Sequence, residues 1–403
     1  MASKTSRRSF FQNVGVGAMG TAVAGGLFKS ADAKEPDAKI LGETGVATSK
    51  RPKGIWKPVS DRKIRVGIVG FGVCQFGAKF FFQDHPNVTV AAVSDLFPER
   101  CAGLAKACRC EKTYPSLEEL VKDDSLEAVF VATDAPSHAR HCIEVLKHGK
   151  HVASAVPAVF GSLEDAHQLF ETVKSSGKKY MMFETSAFHD DCYAMREIYR
   201  AGGFGKLVYS EGEYFHYMEK PIPSYKDWRV GLPPQFYPTH SNAYYRCVSG
   251  GSFTEVSCLG MPSIVKHCQS ENNRYKNPYG TEIALLRTSE GGMARMAVSW
   301  DMPGAGGEIG RVHGQRGSMI GMDYQGEEKQ LPDLTKPALP PSVATGHHGG
   351  SSGYLMNEFV TAILEDRKPL VDIVPALNMT VAGIVAHQSA LKDGELLKIP
   401  QFA

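Results

Sequence analysis

The sequence predicts an α/β Rossmann domain, built on a doubly wound parallel sheet, followed by a C-terminal α+β domain with an open, mainly antiparallel sheet. Three observations lead to this prediction. Short apolar strands alternate with helices in the first part of the chain, a glycine-rich turn follows the first strand, and long alternating runs replace this pattern from Lys206. With 403 residues the chain is long enough for two domains with their own cores.

Strand and helix signals alternate from Lys63 onward. The predicted strands are Ile64–Val69, Val88–Val93, Ala128–Ala132 and His151–Ser154. The predicted helices are Phe76–Gln83, one beginning at Leu117–Val121, Ala139–His148 and Leu163–Ser175. Strands and helices that alternate at these lengths are typical of a parallel, doubly wound sheet, so we expect a nucleotide-binding Rossmann domain at 63–183.

The second part of the chain, 184–403, is expected to form a substrate-binding and dimerisation domain. The predicted strands are Leu207–Tyr217, Thr281–Ser289, Gly292–Trp300 and Arg311–Met322, and the predicted helices are Tyr354–Leu364 and Pro375–Leu391. An open sheet face commonly pairs with another subunit, so a homo-oligomer is expected.

The first 33 residues have the features of a twin-arginine signal peptide. Arg7 and Arg8 precede a mild apolar stretch, Val14–Phe28, and Ala31-Asp32-Ala33 has the small-x-small form of a cleavage site. We expect export of the folded protein to the bacterial periplasm by the twin-arginine machinery, with a polar linker at 34–62. The alternative is an ordinary charged start of a general secretory signal. Nicotinamide nucleotide is not expected outside the cell, so a nucleotide carried by this chain must be held tightly and returned to its starting redox state.

Composition excludes several classes of function. The formal net charge of +2 gives no basic field for nucleic acid. Outside the signal no apolar run approaches the roughly 20 residues of a membrane span, so no membrane association is expected after processing. The nine cysteines show no metal or disulfide spacing, because the closest pair, Cys108 and Cys110, is separated by one residue. We therefore expect buried free thiols and no metal site.

The turn after the first strand predicts the nucleotide site. Gly70, Phe71 and Gly72 follow the strand and precede a helix, where side chains at the two glycines would block a pyrophosphate. The third glycine of the usual fingerprint is absent: Gln75 occupies its place, and Gly77 comes two residues later.

An acidic residue at the end of the second strand completes this signal. Asp95 is placed to accept hydrogen bonds from ribose hydroxyls and to repel a 2'-phosphate, which favours NAD over NADP. Arg100 lies close enough in sequence to leave NADP as an alternative cofactor. The alternative for the whole motif is a structural turn that binds no ligand.

Two further motifs resemble those of a known family. They are Thr133-Asp134-Ala135-Pro136-Ser137-His138 and Gly149-Lys150-His151-Val152. With the glycine turn and Asp95 they are similar to the glucose-fructose oxidoreductase, inositol dehydrogenase and rhizopine-catabolism (Gfo/Idh/MocA) family, over about Lys63 to Phe402. The resemblance implies a Rossmann domain that binds NAD with contacts from Thr133, Asp134, Pro136, His138 and Pro157.

One departure from the family pattern points to a branch of it. Where the family has Glu-Lys-Pro, whose lysine assists proton transfer, this chain has Ala155-Val156-Pro157. That turn, with Tyr237-Pro238-Thr239-His240, His348-Gly349-Gly350 and Ile399-Pro400-Gln401-Phe402, is similar to the NAD-dependent glycosidases of the α-N-acetylgalactosaminidase type. This resemblance implies a cycle without net redox change: oxidation at the sugar C3, elimination across C2 and C1, addition of water and return of the hydride.

Tyr237 and His240 are the main candidates for catalysis. They stand three residues apart in what the sequence predicts to be an aromatic-rich, proline-interrupted loop, where a histidine can accept a proton near neutral pH and a tyrosine can relay one. The alternative is a loop packed by its aromatic rings with a histidine at the surface.

The remaining candidates are less specific. Phe188 stands where the glycosidase branch has a tyrosine, so His189 or Tyr193 could act in its place. His348 and Trp228 are candidate substrate contacts, although a solvated His347-His348 pair is the alternative reading. Glu184 is interpreted as structural, at a helix start.

Three functions are compatible with these residues. The first is an NAD-dependent oxidoreductase acting on a sugar or polyol. The second is the redox-neutral glycosidase or lyase, and the third is a non-catalytic sugar-binding module that keeps NAD as a structural element.

Overall fold

The computed structural model describes residues 54–304 and 306–403. The predicted signal lies outside the described residues, and so does the predicted linker as far as residue 53. The described residues form two sheets that correspond to the two predicted kinds of pattern.

The first sheet is parallel and six-stranded. Its strands are β1 (Ile64–Val69), β2 (Val88–Ser94), β3 (Thr113–Tyr114), β4 (Ala128–Val131), β5 (His151–Ser154) and β6 (Tyr180–Met182), in the order β3-β2-β1-β4-β5-β6. Its helices are α1 (Phe76–Lys79), α2 (Pro98–Cys108), α3 (Leu117–Leu120), α4 (His138–Lys147) and α5 (Leu163–Ser176). The strand order reverses between β1 and β4, which is where doubly wound sheets bind ligands.

The sequence predicted most of this half correctly, and its errors have local causes. The predicted helix Phe76–Gln83 is a single turn, because Phe81 has a φ of 62° and ends it. Helix α2 was not predicted, since it carries mostly small and charged residues between its buried positions Cys101, Leu104 and Cys108.

The second sheet is eight-stranded and mainly antiparallel, with only β7 and β10 paired in parallel among the described strands. Its strands are β7 (Leu207–His216), β8 (Phe253–Pro262), β9 (Tyr279–Thr288), β10 (Met293–Ser299), β11 (Gly306–Gly314), β12 (Gly317–Ile320), β13 (Asp323–Gly326) and β14 (Leu397–Lys398), in the order β13-β12-β11-β7-β10-β9-β8-β14. The helices of this half are α6 (Asp190–Arg200), α7 (Thr239–Ser249), α8 (Ser352–Leu364) and α9 (Ile373–Ala390).

Two predictions in this half need correction, and two of its longer elements were not predicted. The predicted strand Arg311–Met322 is a hairpin, because Gln315 and Arg316 form its turn. Strand β8 and helix α6 were not predicted. The segment after Pro238 is helix α7 rather than a loop, since the proline precedes the first turn of the helix instead of interrupting it.

Helix α7 packs closely on the second sheet through two glycines. A Cβ added to Gly212 of β7 would lie 2.0 Å from the backbone oxygen of Ser241, and one added to Gly310 of β11 would lie 2.0 Å from the ring of Tyr244. Any side chain at these positions would therefore push α7 away from the sheet. The close approach holds the first turn of α7, which contains His240, against β7 and β11.

The opposite face of the second sheet exposes large apolar side chains. Val208, Leu259, Leu285 and Ile309 are 54%, 65%, 48% and 55% exposed. All nine cysteines are free thiols, as predicted, and Cys74 is only half-buried while the other eight are buried. No helix among the described residues is both long enough and apolar enough to cross a membrane.

Candidate active site

A groove of 490 Å³ runs along the carboxyl end of the first sheet, beginning at the turn after β1. Gly70 takes a φ of 103°, and a Cβ there would lie 2.3 Å from the backbone oxygen of Ala132. A Cβ on Gly72 would meet no protein atom within 4 Å, so it would project into open space where Gly72 lines the groove. Gly77 supplies the close contact of the missing third glycine, since its Cβ would lie 2.4 Å from the oxygen of Gly70. The turn therefore fits a pyrophosphate.

Asp95 lies in the wall of this groove with its carboxylate held in place. Its Oδ2 accepts a hydrogen bond from the backbone N–H of Phe71 at 2.7 Å, and its Oδ1 accepts one from Phe97 at 2.9 Å. Each oxygen can still accept from a ribose hydroxyl. Arg100 also lines the groove, with its guanidinium 4.4 Å from the centre of the Phe97 ring.

The other predicted cofactor contacts divide into two groups. Thr133 and Asp134 line the groove. Pro136, His138 and Pro157 are not among its lining residues, and their contact with NAD stays a prediction. His138 is buried, and its two ring nitrogens lie 2.8 Å from the Pro157 carbonyl oxygen and 3.2 Å from that of Thr133. It supports the groove from behind.

A segment from the second half of the chain completes the groove. We call residues 223–229, between β7 and α7, the cover segment. Its Tyr225 ring lies 6.2 Å from the Phe97 ring, and Lys226 and Asp227 adopt left-handed backbone conformations with φ of 50° and 52°. The groove is thus lined from both halves of the chain.

A second cavity, of 280 Å³, adjoins the groove. Cys74, Phe76, Trp228 and Arg229 line both spaces. Val156, at the position of the family lysine, lines the cavity with an apolar side chain. A molecule in this cavity would lie directly beside one in the groove.

The structure brings Tyr237 and His240 together at the wall of this cavity. Their ring centres are 5.6 Å apart, and the ring of Tyr214 lies 4.5 Å from that of His240. The Trp228 ring stacks on Tyr237 at 6.4 Å. An imidazole and a phenol are therefore placed among aromatic faces, an arrangement suited to a sugar ring and its hydroxyls.

Behind His240 lies a buried polar cluster that the sequence did not reveal. His240 Nδ1 donates a hydrogen bond to Glu184 Oε1 at 2.8 Å and lies 3.6 Å from Glu308 Oε2. Glu184 also accepts from the Ser186 N–H at 2.9 Å, so it is both the helix-start residue expected and the partner of the candidate catalytic histidine. Glu308 Oε2 accepts from the Ser186 hydroxyl at 2.6 Å.

The charges of the cluster shift its pKa values. Burial lowers the pKa of His240, but the carboxylates of Glu184 and Glu308 outweigh burial and raise it to about 9. Burial raises the pKa of Glu308, yet His240, His348 and His189 bring it well below its ordinary value. Burial raises the pKa of the Tyr237 phenol. At neutral pH the cluster alone thus holds a protonated imidazole between two carboxylates, with a neutral phenol beside it.

The secondary candidates lie in different places. His189 is beside Glu308, with 3.2 Å between Nε2 and Oε2, and does not line the cavity. Tyr193 is buried next to Arg196 and does not line it either, so neither replaces the absent tyrosine from the cavity wall. His348 lines the cavity and is 37% exposed, with Nδ1 3.7 Å from Glu308 Oε1, so it is not simply a solvated histidine. Trp228 lines both spaces.

Sequence reasoning missed Glu308 entirely. The only local signal is a charge in β11 between Gly307 and Ile309, and a charge in a strand is usually solvated. Glu308 is instead nearly buried, with 7% of its side chain exposed.

A glycine turn at the switch point of a parallel sheet, with an acidic residue after the second strand, defines a nucleotide-binding Rossmann protein. Residues 64–184 match the family model described as the Gfo/Idh/MocA oxidoreductase family, NAD-binding Rossmann fold. Through these residues the chain is similar to that family, and the predicted resemblance to it, with NAD as the cofactor and an enzyme as the class of protein, is confirmed.

The curated relatives are glycosidases by name. Glycosyl hydrolase family 109 protein 1 of Bacteroides fragilis is 30% identical over 194 residues, which cover 46% of this chain and 41% of that protein. The chain thus spans about two fifths of the length of the first curated relatives it matches. A glycosyl hydrolase family 109 protein of Solibacter usitatus is 22% identical over an alignment that covers 99% of this chain and 97% of that protein.

Solved structures share the fold. Levoglucosan dehydrogenase in complex with NADH and L-sorbose has a TM-score of 0.67 at 15% identity, covering 85% of this chain and 100% of that chain. The aldose-aldose oxidoreductase from Caulobacter crescentus complexed with glycerol has a TM-score of 0.65 at 16% identity, covering 84% of this chain and 100% of that chain. The predicted combination of a Rossmann domain and an open-sheet α+β domain is confirmed.

Proposed function

We propose that the protein is an oxidoreductase that transfers hydride between a sugar, polyol or glycoside and a tightly bound NAD. The observation that carries this proposal is the pair of adjoining spaces: a cavity with an imidazole and a phenol in its wall shares four residues with the nucleotide groove. A hydroxyl-bearing carbon in the cavity would lie next to a nicotinamide in the groove.

The groove residues hold the nucleotide. Gly70 and Gly72 leave room for the pyrophosphate, and Asp95 accepts from the ribose hydroxyls. Because the Asp95 carboxylate would repel a 2'-phosphate, NAD is favoured over NADP, with Arg100 as the residue that works against this preference. NAD, when bound, supplies the hydride acceptor and donor of the reaction.

The cavity residues orient the substrate and move its proton. Trp228 and Tyr214 offer ring faces to a sugar, and His348 offers a polar contact. Loss of hydride from an alcohol carbon requires that the hydroxyl proton leaves as well. His240, supported by Glu184, and Tyr237 are the pair that relays this proton in place of the family lysine. The imidazole, protonated at neutral pH, gives a proton to the substrate oxygen when the hydride returns, and it accepts one in the oxidation step once it has lost its own.

The test of this proposal is the nucleotide content of protein purified without added NAD. We expect denatured protein to release about one NAD per chain, and the native protein to show an absorbance change near 340 nm with its substrate. Release of no nicotinamide nucleotide, or of NADP in preference, would contradict the proposal.

A second candidate is the redox-neutral glycosidase. Two observations favour it: Val156 replaces the lysine, and the curated relatives that align over nearly the whole chain are glycosyl hydrolases by name. In that cycle C3 is oxidised, the C2 proton and the C1 substituent are lost, water adds, and the hydride returns. In deuterated water the glycosidase puts deuterium at C2 of the released sugar, whereas a simple dehydrogenase does not. The third candidate is a non-catalytic sugar-binding module. It predicts bound NAD, but neither an absorbance change with substrate nor deuterium at C2.

The place of action is proposed to be the periplasm, after twin-arginine export. The support is the Arg7-Arg8 signal and the agreement between a retained cofactor and a compartment without free NAD. Changing both arginines to lysine should leave folded protein in the cytoplasm, as measured by fractionation. Normal periplasmic accumulation of that variant would indicate the general secretory route.

A homo-oligomer is proposed from the exposed apolar face of the second sheet. Light scattering coupled to size exclusion measures the mass. A dimer or larger assembly is expected, and Leu259→Glu with Ile309→Glu should shift it toward the mass of a single chain.

A further inference from the structure

The second half of the chain contains two buried glutamate–histidine pairs that differ in one respect. Glu282 Oε1 lies 2.6 Å from His387 Nδ1, and its Oε2 accepts from the Gln235 N–H at 2.7 Å, so both oxygens have partners. Glu184 bonds His240 and Ser186 through Oε1 only, and its Oε2 is buried with no hydrogen-bond partner. Since an unpaired buried carboxylate oxygen is costly, the second pair is incomplete as it stands.

The incomplete pair continues into further ligand-type atoms. One donor atom from each of Glu184, His240 and Glu308 can be chosen so that all three lie within 4.8 Å of one another. His189 Nε2 is 3.2 Å from Glu308 Oε2, yet it is not oriented for a hydrogen bond and has no other partner. His348 Nδ1 lies 3.7 Å from Glu308 Oε1. Glu184, His240 and Glu308 thus form one centre, and two further imidazoles lie beside its Glu308.

No lysine or arginine of the described chain lies within ion-pair distance of either carboxylate. Among the described residues their neighbours of opposite charge are histidines: His240 lies beside both carboxylates, and His189 and His348 lie beside Glu308. Two buried carboxylates that share one imidazole are stabilised by further positive charge beside them. A cation bound by the imidazoles and carboxylates would provide it and would give Glu184 Oε2 its missing partner.

We propose that Glu184, His240 and Glu308 bind a divalent transition-metal ion, with His189 and His348 at hand as further ligands. Imidazole and carboxylate together are the donor set of Zn²⁺, Mn²⁺ and Fe²⁺, whereas Mg²⁺ and Ca²⁺ favour oxygen ligands alone. His240 and His348 also line the 280 Å³ cavity, so the ion lies beside the candidate substrate site. The proposal goes beyond the proposed function and does not depend on it, because it concerns the donor atoms only.

The test uses the full chain, purified without a metal-affinity tag and without substrate. Elemental analysis of the purified protein should find about one transition-metal ion per chain. After removal of metal by a chelator, Zn²⁺ alone is titrated in competition with a chromophoric chelator, and Co²⁺ is added to a second sample to record its visible spectrum. One tight Zn²⁺ site and a Co²⁺ spectrum typical of low-coordinate nitrogen and oxygen ligation are expected.

Variants separate this site from incidental binding. Glu308→Gln should weaken Zn²⁺ binding by more than ~100-fold, beyond the loss typical of outer-shell changes, and Glu184→Gln should do the same. Glu282→Gln breaks the complete pair and should leave Zn²⁺ binding unchanged. His348→Asn, in an exposed loop, gives a variant that does not threaten folding, and we expect a weaker site and an altered Co²⁺ spectrum.

The proposal is overturned if the purified protein holds no transition metal and wild type binds Zn²⁺ no more tightly than Glu308→Gln. It is also overturned if His348→Asn and both glutamate variants fold and keep wild-type affinity and the wild-type Co²⁺ spectrum. The NAD content of the same samples is measured separately. Failure of the metal site and failure of the proposed NAD-dependent function are therefore distinguishable.

Discussion

The nucleotide groove and the polar cluster beside the cavity are built in opposite ways. The groove takes its main residues from short stretches, each directly after a strand of the first sheet: Gly70 and Gly72 after β1, Asp95 after β2, and Thr133 after β4. The cluster takes Glu184, His240 and Glu308 from positions far apart in the chain. A ligand site at the end of parallel strands leaves a local pattern in the sequence, while one assembled across a mixed sheet leaves none.

The two regions also differ in how they treat charge. Asp95, in the groove, has both oxygens satisfied by backbone N–H groups. Glu184, in the cluster, keeps a buried oxygen without a partner. The groove is complete for binding a ligand through its remaining lone pairs, whereas the cluster needs a further group to be complete.

The largest effect is expected from His240→Ala, because it removes a residue of the cluster without touching the groove. A site that loses its proton-transferring group should lose a factor of roughly 10² to 10⁴ in rate. Bound NAD, released by denaturation and quantified, should stay at the wild-type level. His313→Ala is the control, a histidine of the same sheet that bonds Ser318 away from the cavity. Wild-type rates for both His240→Ala and Tyr237→Phe would place the active site elsewhere.

Asp95→Ala tests the opposite region and should have an intermediate effect. Loss of a charge-assisted hydrogen bond to the ribose costs on the order of 1 to 3 kcal/mol of NAD binding. Calorimetric titration of nucleotide-free protein with NAD measures the change. The affinity for NADP should fall less than the affinity for NAD, because the carboxylate that repels the 2'-phosphate is gone. Unchanged NAD affinity would show that the two backbone contacts are the whole role of Asp95.

Histidines of the two halves of the chain also differ in pKa, and this difference gives the smallest expected effect, a change in the pH dependence of stability. In the first half, burial lowers the pKa values of His85, His141 and His151 to about 4, whereas that of His240 is raised. Between pH 6.5 and 4 these three histidines bind protons in the unfolded chain but stay neutral in the native protein. Their contribution to stability is therefore present above pH 6.5 and is lost as the pH falls toward 4.

His85 is the residue on which to measure this. Each such group changes the unfolding free energy by at most about 1.4 kcal/mol per pH unit. Urea unfolding of wild type and His85→Gln between pH 4.5 and 7 should show a smaller pH slope for the variant. Parallel slopes would mean that His85 takes up its proton as readily in the native state as in the unfolded chain.

The sequence predicted the structure well wherever the surroundings of a residue are its neighbours along the chain. It located β1, β5 and most of α4 and α5 closely, because apolar runs bounded by glycines are local signals. It failed at α7, where Pro238 resembles a loop residue but stands before a helix. Tyr237 and His240 were still found, since their spacing is short.

Glu308 could not be found in this way. Only the pairing of β11 with β7, and the packing of α7 on both strands, bring it to His240. The interpretation of Glu184 as a helix start was correct in its hydrogen bond to Ser186 but left out its contact with His240, which comes from a residue 56 positions away.

The cover segment has a consequence for how long the cofactor stays. Its Trp228 and Arg229 line the groove and the cavity at once, so one segment borders both the candidate cofactor site and the candidate substrate site. A molecule in the cavity should therefore slow the exchange of bound NAD for labelled NAD from solution. Such slowing would show that the occupant of the cavity takes part in retaining the cofactor through residues 223–229.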